Sequence, residues 1–502
     1  MTRTAEHRPA VRRRRFKHDD LVAVDLFSGF GGLTKGIEDA GFTTIMAANH
    51  NAYKVGVHEA NHPFAEHWIA DLVNPESSDY HSARDLPAAD LLVAGVSCVN
   101  HSQANTQKAY EQGLSLFDLD DPEFDARVTK SERDRATANC VLHYAQKHRP
   151  RMILIECTTE LTSWGPALPG KSKIGDGSTY RYWLSRFDVE GYDHKVLYLN
   201  SMFFGVPQSR DRLYIVFWDR RLPAPDLEHR PLTRCVHCDD LVEAVWSWKT
   251  GIPPSGAVRY GTQYRYTCPR CRREVVPPMT PSLRALDLSN LGTRIGDRKK
   301  PLRPTTMARI ERCRNRFREF PAVLMPAKGV HGVERHPWQP LATQTSQQET
   351  ALLSAGAVFA AHRHNGDGKN FTQPMDTVTS THELAMLTGV IPFRKNTLPA
   401  LGSEPIPTVT SEQTPGLLTA DWAAALADLP VEDCHFRMLG PHEVGRGCGF
   451  DTDFPGHKGE FIVWGSARDQ VDGFGNAVSP AVGEWIGRRL RAVLHRTEGI
   501  AA

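Results

Sequence analysis

Apolar residues fall in short runs separated by longer stretches of helical spacing. Leu21–Phe27 (LVAVDLF) is one such run, followed by a glycine-rich turn, Ser28-Gly-Phe-Gly-Gly32. A helical pattern then runs from Leu33 to Ala40 and is closed by Gly41. Thr44–Ala48 reads as a second strand, and Asp90–Val96, Met152–Ile155 and Leu213–Phe217 as further buried strands. Helical spacing between them, at Arg135–Lys147 and Thr179–Phe187, makes the strands alternate with helices. That alternation predicts an α/β body, a mostly parallel sheet covered on both faces. Near the C-terminus, Arg437–Phe450 begins as an amphipathic helix. Ala481–Leu494 is a clearer helix, with Val482, Ile486, Leu490 and Val493 on one face and arginines opposite. Such a stripe needs a core to lie on, and the N-terminal sheet is the expected one.

Three other patterns interrupt or follow this body. Cys235-x2-Cys238 and Cys268-x2-Cys271 are separated by 29 residues. Two such knuckles supply four thiolates in tetrahedral arrangement and predict a structural zinc ribbon. Four reduced cysteines in a loop is the alternative, and His237 is a candidate substitute ligand. Next, Pro340–Ser346 (PLATQTS), Pro374–Ser380 (PMDTVTS) and Pro405–Ser411 (PIPTVTS) repeat at proline spacings of 34 and 31, with Pro301–Thr306 as a degenerate earlier copy. They mark a β-rich or irregular region, either a scaffold for reading a partner or a packing module. Finally, the stretch after Cys98, up to about Ala136, combines an acidic run with Lys130, Arg133 and Arg135. It suits a mobile lid or an acidic insertion.

Composition narrows the class. No apolar run reaches the length of a membrane span, and the Arg-rich start lacks a secretory core. Ten cysteines spread over 502 residues fit reduced thiols and a cytoplasmic protein. The net charge of +2 conceals an uneven distribution, with +6 on residues 1–18 and +12 on residues 259–318. A polyanion held against one part of an acidic body and a solvated charged face are both compatible with it.

Taken in order, the motifs resemble those of the DNA cytosine-5 methyltransferases. Asp25-Leu-Phe-Ser-Gly-Phe-Gly-Gly32 is similar to the family's first motif, and Ala70-Asp71-Leu72 to the motif whose acid meets the adenine amino group. Gly95-Val-Ser-Cys98 stands where the family carries its nucleophile, followed by Asn100-His-Ser102 as in a subgroup with a Cys-x-x-His-Ser run. Ile155-Glu156-Cys157 stands at the Glu-Asn-Val motif, and Gln208-Ser-Arg210-Asp-Arg212 at the Gln-x-Arg-x-Arg motif. Gly475-Asn476-Ala-Val478 is similar to the closing motif.

The resemblance implies a Rossmann-like S-adenosylmethionine-dependent methyltransferase sheet, with an inserted zinc ribbon and a smaller β-rich or irregular target-recognition domain. It divides the chain into a basic arm (1–18), a catalytic cofactor-binding domain (19–225), the ribbon (230–278), the recognition domain (279–430) and a C-terminal segment (431–496) completing the catalytic domain. Cys98, Glu156, Arg210 and Arg212 are its implied catalytic residues. Asp25, Phe27, Ser28, Gly29, Gly31, Gly32, Asn49, Asp71, Leu72, Asn476 and Val478 would bind S-adenosyl-L-methionine. Cys235, Cys238, Cys268 and Cys271 would hold structural zinc.

Chemically, carbon 5 of cytosine is nucleophilic only after a thiolate adds at carbon 6, which Cys98 would supply. A raised-pKa Glu156 would donate toward ring nitrogen 3. Because neither can reach a stacked base, the target must be flipped out of double-stranded DNA. The implied enzyme is a monomer with no membrane partner, and a cognate restriction endonuclease stays open. Ser97, Cys157 and Asn49 depart from the family's usual Pro, Asn and acidic residue, so a modified S-adenosyl cofactor stays open too. An RNA cytosine-5 methyltransferase and a non-catalytic DNA-binding relative are the other readings.

Overall fold

The computed structural model describes residues 5–13, 17, 19–96, 130–165, 167–168, 171–251, 256–287, 289–316, 322–326, 334–337, 339–344, 346, 350–354, 358–361, 369–370, 384–386 and 430–501. The apolar runs become the strands of one eight-stranded sheet. They are β1 (Glu6–Arg8), β2 (Val22–Leu26), β3 (Thr43–Asn49), β4 (Glu66–Ile69), β5 (Leu91–Gly95), β6 (Met152–Cys157), β7 (Tyr192–Asn200) and β8 (Asp211–Asp219), in spatial order β1-β4-β3-β2-β5-β6-β8-β7. β4, β3, β2, β5 and β6 are parallel, while β1, β7 and β8 pair antiparallel. The order reverses on either side of β2, so a crevice opens at the carboxyl ends of β2 and β5, where open α/β sheets bind ligands.

Alternation along the central strands feeds two cores. Leu92, Ala94, Ile153 and Ile155 face α3 (Lys130–His148) and α4 (Ser178–Val189), where Tyr144, Trp183 and Phe187 are buried. Leu91, Val93, Met152 and Leu154 face the opposite core, which holds Leu33 and Ile37 of α1 (Gly32–Asp39). Into that core the chain's last helix, Pro480–Ala501, inserts Val482, Ile486, Leu490 and Val493. Each such side chain contributes about 1.5–3 kcal/mol when fully buried. The two helices approach closely because both present small residues at four-residue spacing. A β-carbon on Gly36 would lie 2.5 Å from the Pro480 carbonyl, and one on Gly487 would lie 2.8 Å from Ala40 Cβ.

Several expectations change. Arg437 and Met438 are not helical: His435–Met438 is a strand paired with Thr350–Ser354, and the helix begins only at Pro441. Proline forces the residue before it toward extended backbone, here Gly440, whose N–H donates to Glu443 Oε2 at 2.7 Å. Asn476, of the closing motif, ends a helix, Ala467–Asn476, capped by Ser466. The degenerate repeat copy at Pro301–Thr306 runs into a helix, Pro304–Arg316, and so departs from the β-rich or irregular region that the repeats mark. Within the basic arm, Glu6–Arg8 is an edge strand on β4, held by His7 on Glu66 at 2.8 Å and Arg8 on Glu59 at 3.2 Å.

A second sheet orders Thr293–Arg294, His435–Met438, Thr350–Ser354 and Ala322–Pro326. It therefore draws a strand from beyond residue 431, and Val431, Cys434 and Phe436 pack there with Ile310 and Leu353. The ribbon region has a two-stranded sheet (Leu232–Cys235, Asp240–Glu243) and a three-stranded one (Val245–Trp248, Tyr264–Thr267, Glu274–Val275). Residues 97–129 and the repeat copies at 374–380 and 405–411 lie outside the described residues, so the lid and those copies do too. Among the described residues no helix is long and apolar enough to cross a membrane.

Candidate active site at the carboxyl edge of the sheet

The glycine-rich loop leaves β2 through Phe27 at φ +61 and reaches Gly31 at φ +82, the residue that caps α1. Gly32 has no room for a side chain: a β-carbon there would lie 2.0 Å from the Val478 carbonyl oxygen. The first and last motifs are thus in backbone contact, 446 residues apart in numbering. Val478 also packs 3.6 Å from the β-carbon position of Gly95, at the end of β5. Asn476, by contrast, is exposed and donates to Asp472 at 3.1 Å.

Beneath the loop Asp25 is almost fully buried, and burial pushes its carboxyl up to about 7 although a Thr34 hydroxyl donates to it at 2.6 Å. The motifs do not reveal the histidine chain behind Thr34. That residue lies 3.0 Å from His58 Nε2, and His58 Nδ1 lies 2.7 Å from His67 Nε2. Thr34 gives its one proton to Asp25, so His58 must donate from Nε2 and accept at Nδ1, as a neutral ring. Burial, then His62 and His67, hold His58 well below the ordinary histidine value, consistent with that neutral tautomer. His58 sits on the buried side of α2 (Ala52–Asn61), and the only sequence signal was its helical spacing.

Asn49 ends β3, buried, with its Oδ1 accepting from the Asn51 N–H at 3.0 Å. Asp71 Oδ1 accepts from the amides of Val73 and Asn74 at 3.0 and 3.2 Å, shaping its own loop, and Leu72 packs into the first core. Three buried polar atoms around the loop, Asp25 Oδ1, Ser28 Oγ and Ser479 Oγ, have no hydrogen-bond partner among the described residues.

Across the crevice, strand alternation puts Glu156 on the face of Met152 and Leu154, and Arg212 on that of Tyr214 and Val216. β8 runs antiparallel to β6, so its first residues arrive where β6 ends. Arg212 Nε comes to 3.1 Å from Glu156 Oε1, with both side chains largely buried. Burial raises the Glu156 pKa, and Arg212, then Arg210, pull it back. The register pairs Gly95 with Glu156, three residues before Cys98, which itself lies outside the described residues. Cys157, on the opposite face, is a buried core residue.

Arg210 is buried and donates to the carbonyls of Gln344 (3.1 Å) and Gly475 (2.9 Å). The first Thr-x-Thr copy lies along this motif. Leu341 exchanges backbone hydrogen bonds with Pro207 and Ser209, and Thr343 donates to the Ser209 carbonyl at 3.0 Å. Arg210 therefore ties together the arginine motif, the first repeat and the closing motif.

The four ribbon cysteines converge, with all Sγ atoms within 4.8 Å of one another and Cys235–Cys271 and Cys238–Cys268 at 3.6 and 3.8 Å. Tetrahedral zinc with bonds of about 2.3 Å needs sulfurs about 3.8 Å apart. Asp239 and Arg272, directly after each knuckle, adopt positive φ (+47 and +59) and turn the chain so that both thiols of each pair face inward. The amides of Cys271 and Arg270 help lower the Cys268 thiol to about 7. His237 is not part of this cluster; its Nδ1 lies 2.6 Å from Arg273 on the exposed side.

Residues 21–118 and 137–242 match the model of the C-5 cytosine-specific DNA methylases. Over those stretches the chain is similar to the DNA cytosine-5 methyltransferases. The matched stretches take in the first motif, Cys98, Glu156, the arginine motif and the first cysteine knuckle of this chain. Among curated relatives it is 28% identical over 226 residues to the Type II methyltransferase M.NgoBI of Neisseria gonorrhoeae, covering 44% of this chain and 59% of that protein. It is 26% identical over 231 residues to M.HaeII of Haemophilus aegyptius, again covering 59% of the relative. The chain thus spans about three fifths of the length of those relatives. Among solved structures, the Dnmt2 methyltransferase of S. pombe aligns over 94% of this chain and 99% of that one, with a TM-score of 0.42 and 13% identity.

Proposed function

We propose that the protein transfers a methyl group from S-adenosyl-L-methionine to carbon 5 of a cytosine flipped out of double-stranded DNA. The observation that carries this reading is the buried Glu156–Arg212 pair at the carboxyl edge of the sheet, in register with the strand that leads to Cys98. In this reading the Cys98 thiolate adds to carbon 6 of the base. Glu156, its pKa raised by burial, donates a proton toward ring nitrogen 3, and Arg212 fixes the orientation of that carboxyl. Arg210 keeps the loop of the closing motif and the first repeat against this edge. Once carbon 5 has bonded to the methyl group, a base removes the carbon 5 proton, ring nitrogen 3 returns its proton to Glu156, and cleavage of the bond from carbon 6 to sulfur releases the thiolate and restores the aromatic ring.

The loop fits the cofactor: Asp25 Oδ1, Ser28 Oγ and Ser479 Oγ are buried and unmatched, which complements a ligand rich in amino, carboxylate and hydroxyl groups. Asp25, Ser28, Gly29, Gly31, Gly32, Asn49, Asp71 and Val478 would hold it. Bound there, S-adenosylmethionine supplies an electrophilic methyl group on a sulfonium.

Zinc at Cys235, Cys238, Cys268 and Cys271 would be structural, since four thiolates leave no open position for a substrate. Protein purified without chelators is expected to contain about one zinc per chain by elemental analysis. Its removal should lower the Tm by several degrees, because the cysteines lie in the ribbon's only apolar cluster among the described residues. A metal-free, fully stable protein would exclude the zinc assignment.

Incubation with methyl-labelled S-adenosylmethionine and either duplex DNA or tRNA tests the function. Label on cytosine carbon 5 of the duplex alone is the expected result. Label on tRNA alone would make it an RNA enzyme, and cofactor binding or DNA binding without transfer would make it a non-catalytic relative.

A further inference from the structure

The ribbon is seated on the catalytic edge itself. Between the two motif arginines, Asp211 turns its side chain toward the ribbon, where Oδ1 accepts from the Tyr264 hydroxyl at 2.9 Å and from the Tyr260 N–H at 3.1 Å. On the other side of the acid–arginine pair, the Val258 N–H donates to Thr159 Oγ1 at 3.0 Å, three residues beyond Glu156. One ribbon segment, residues 258–264, therefore grips both strand ends that carry the pair. Tyr264 is fully buried, in an apolar cluster with Val258, Tyr266, Met202, Phe203, Cys235 and Cys268. A buried hydroxyl on a carboxylate in such surroundings is held in one geometry. Arg212 Nη1 in turn donates to the Asp211 carbonyl at 2.9 Å, so the residue that Tyr264 anchors also carries the arginine.

We propose that Tyr264 is a positioning residue: through Asp211 it sets Arg212 against Glu156, which makes the inserted ribbon part of the catalytic apparatus. This rests on the methyltransferase reading above. No contact of Tyr264 with DNA or cofactor is required. A small displacement of Arg212 alters turnover because the pair must be placed to a fraction of an ångström, and misplacement by 1 Å costs up to about 100-fold.

The test compares wild type, Tyr264→Phe and His229→Phe, each zinc-loaded and full length. His229→Phe removes the His229–Tyr266 hydrogen bond (2.6 Å) from the same ribbon face without touching Asp211, and so controls for stability. Among the described residues the groups facing Glu156 are Arg210, Arg212 and Tyr214. Loosening Arg212 weakens its pull on the carboxyl, so the basic limb of kcat against pH should move to higher pH. Tyr264→Phe is expected to lower kcat on the order of 10-fold or more. Zinc content and S-adenosylmethionine Kd should stay at wild-type values, and KM for the duplex within about twofold. His229→Phe should lower the Tm and leave the limb in place. If Tyr264→Phe does not fold, Thr159→Val cuts the other anchor and should lower kcat in the same direction. Active wild type matched by Tyr264→Phe in kcat and in limb overturns the inference alone. Wild type without turnover on any duplex overturns the methyltransferase reading and the inference with it.

Discussion

Cys98→Ala is expected to abolish methyl transfer, by on the order of 10⁴-fold or more, while S-adenosylmethionine still binds. In the proposed mechanism the thiolate acts on the base and not on the sulfonium, so its loss would remove the step that makes carbon 5 nucleophilic and leave the cofactor loop intact. A duplex with 5-fluorocytosine at the target should trap the wild type covalently, since fluorine cannot leave as a proton does. Cys98→Ala should give no adduct, and an adduct that survives would place the nucleophile elsewhere. Glu156→Gln belongs to the same experiment. It keeps a hydrogen-bonding group beside Arg212 but cannot deliver a proton, and should slow transfer by about 10²–10⁴-fold. The sign with pH follows from burial. A raised carboxyl pKa keeps Glu156 protonated to higher pH than an exposed glutamate, and turnover falls as the pH rises through that value.

Gly32→Ala should weaken S-adenosylmethionine binding by about 10-fold or more, equivalent to about 1.4 kcal/mol. The added carbon would lie 2.0 Å from the backbone oxygen of Val478, and no side-chain rotation relieves a clash with backbone. Either the glycine-rich loop or the backbone at Val478 must move, and both border the proposed cofactor site. Overpacking of this kind also costs about 1–3 kcal/mol of stability. Gly483→Ala, on the same helix pair, is the contrast. Its new carbon would meet Gly36 and Leu33 at 3.5 Å, an ordinary contact. That variant should match or exceed wild type in thermal stability, because alanine is the better helix former by about 1 kcal/mol. Calorimetric titration of cofactor and a thermal melt on both variants decide the matter. Equal affinity in Gly32→Ala and wild type would disconnect this contact from the cofactor.

The central strands were legible because a strand buried on both faces must be apolar throughout, whatever its neighbours. Leu91–Gly95 and Met152–Cys157 stood out for that reason. Tyr192–Asn200, at the sheet's edge, alternates with polar residues and gave no such signal. The same locality failed at Arg437, where apolar spacing suggested a helix. A strand partner at Thr350–Ser354, some 85 residues earlier, and a proline at 441 made it a strand instead.

Local sequence determined the residue types of the candidate chemistry, since a glycine-rich turn after a strand, two Cys-x2-Cys knuckles and an arginine motif are each short-range patterns with short-range physical causes. The tertiary structure alone decided which of them meet. Antiparallel entry of β8 brought Arg212 to Glu156, the missing side chain of Gly32 admitted Val478, and Asp211 turned away from the crevice to Tyr264. Such contacts depend on strand order and direction, and no window of sequence contains both partners of a contact between residues 32 and 478.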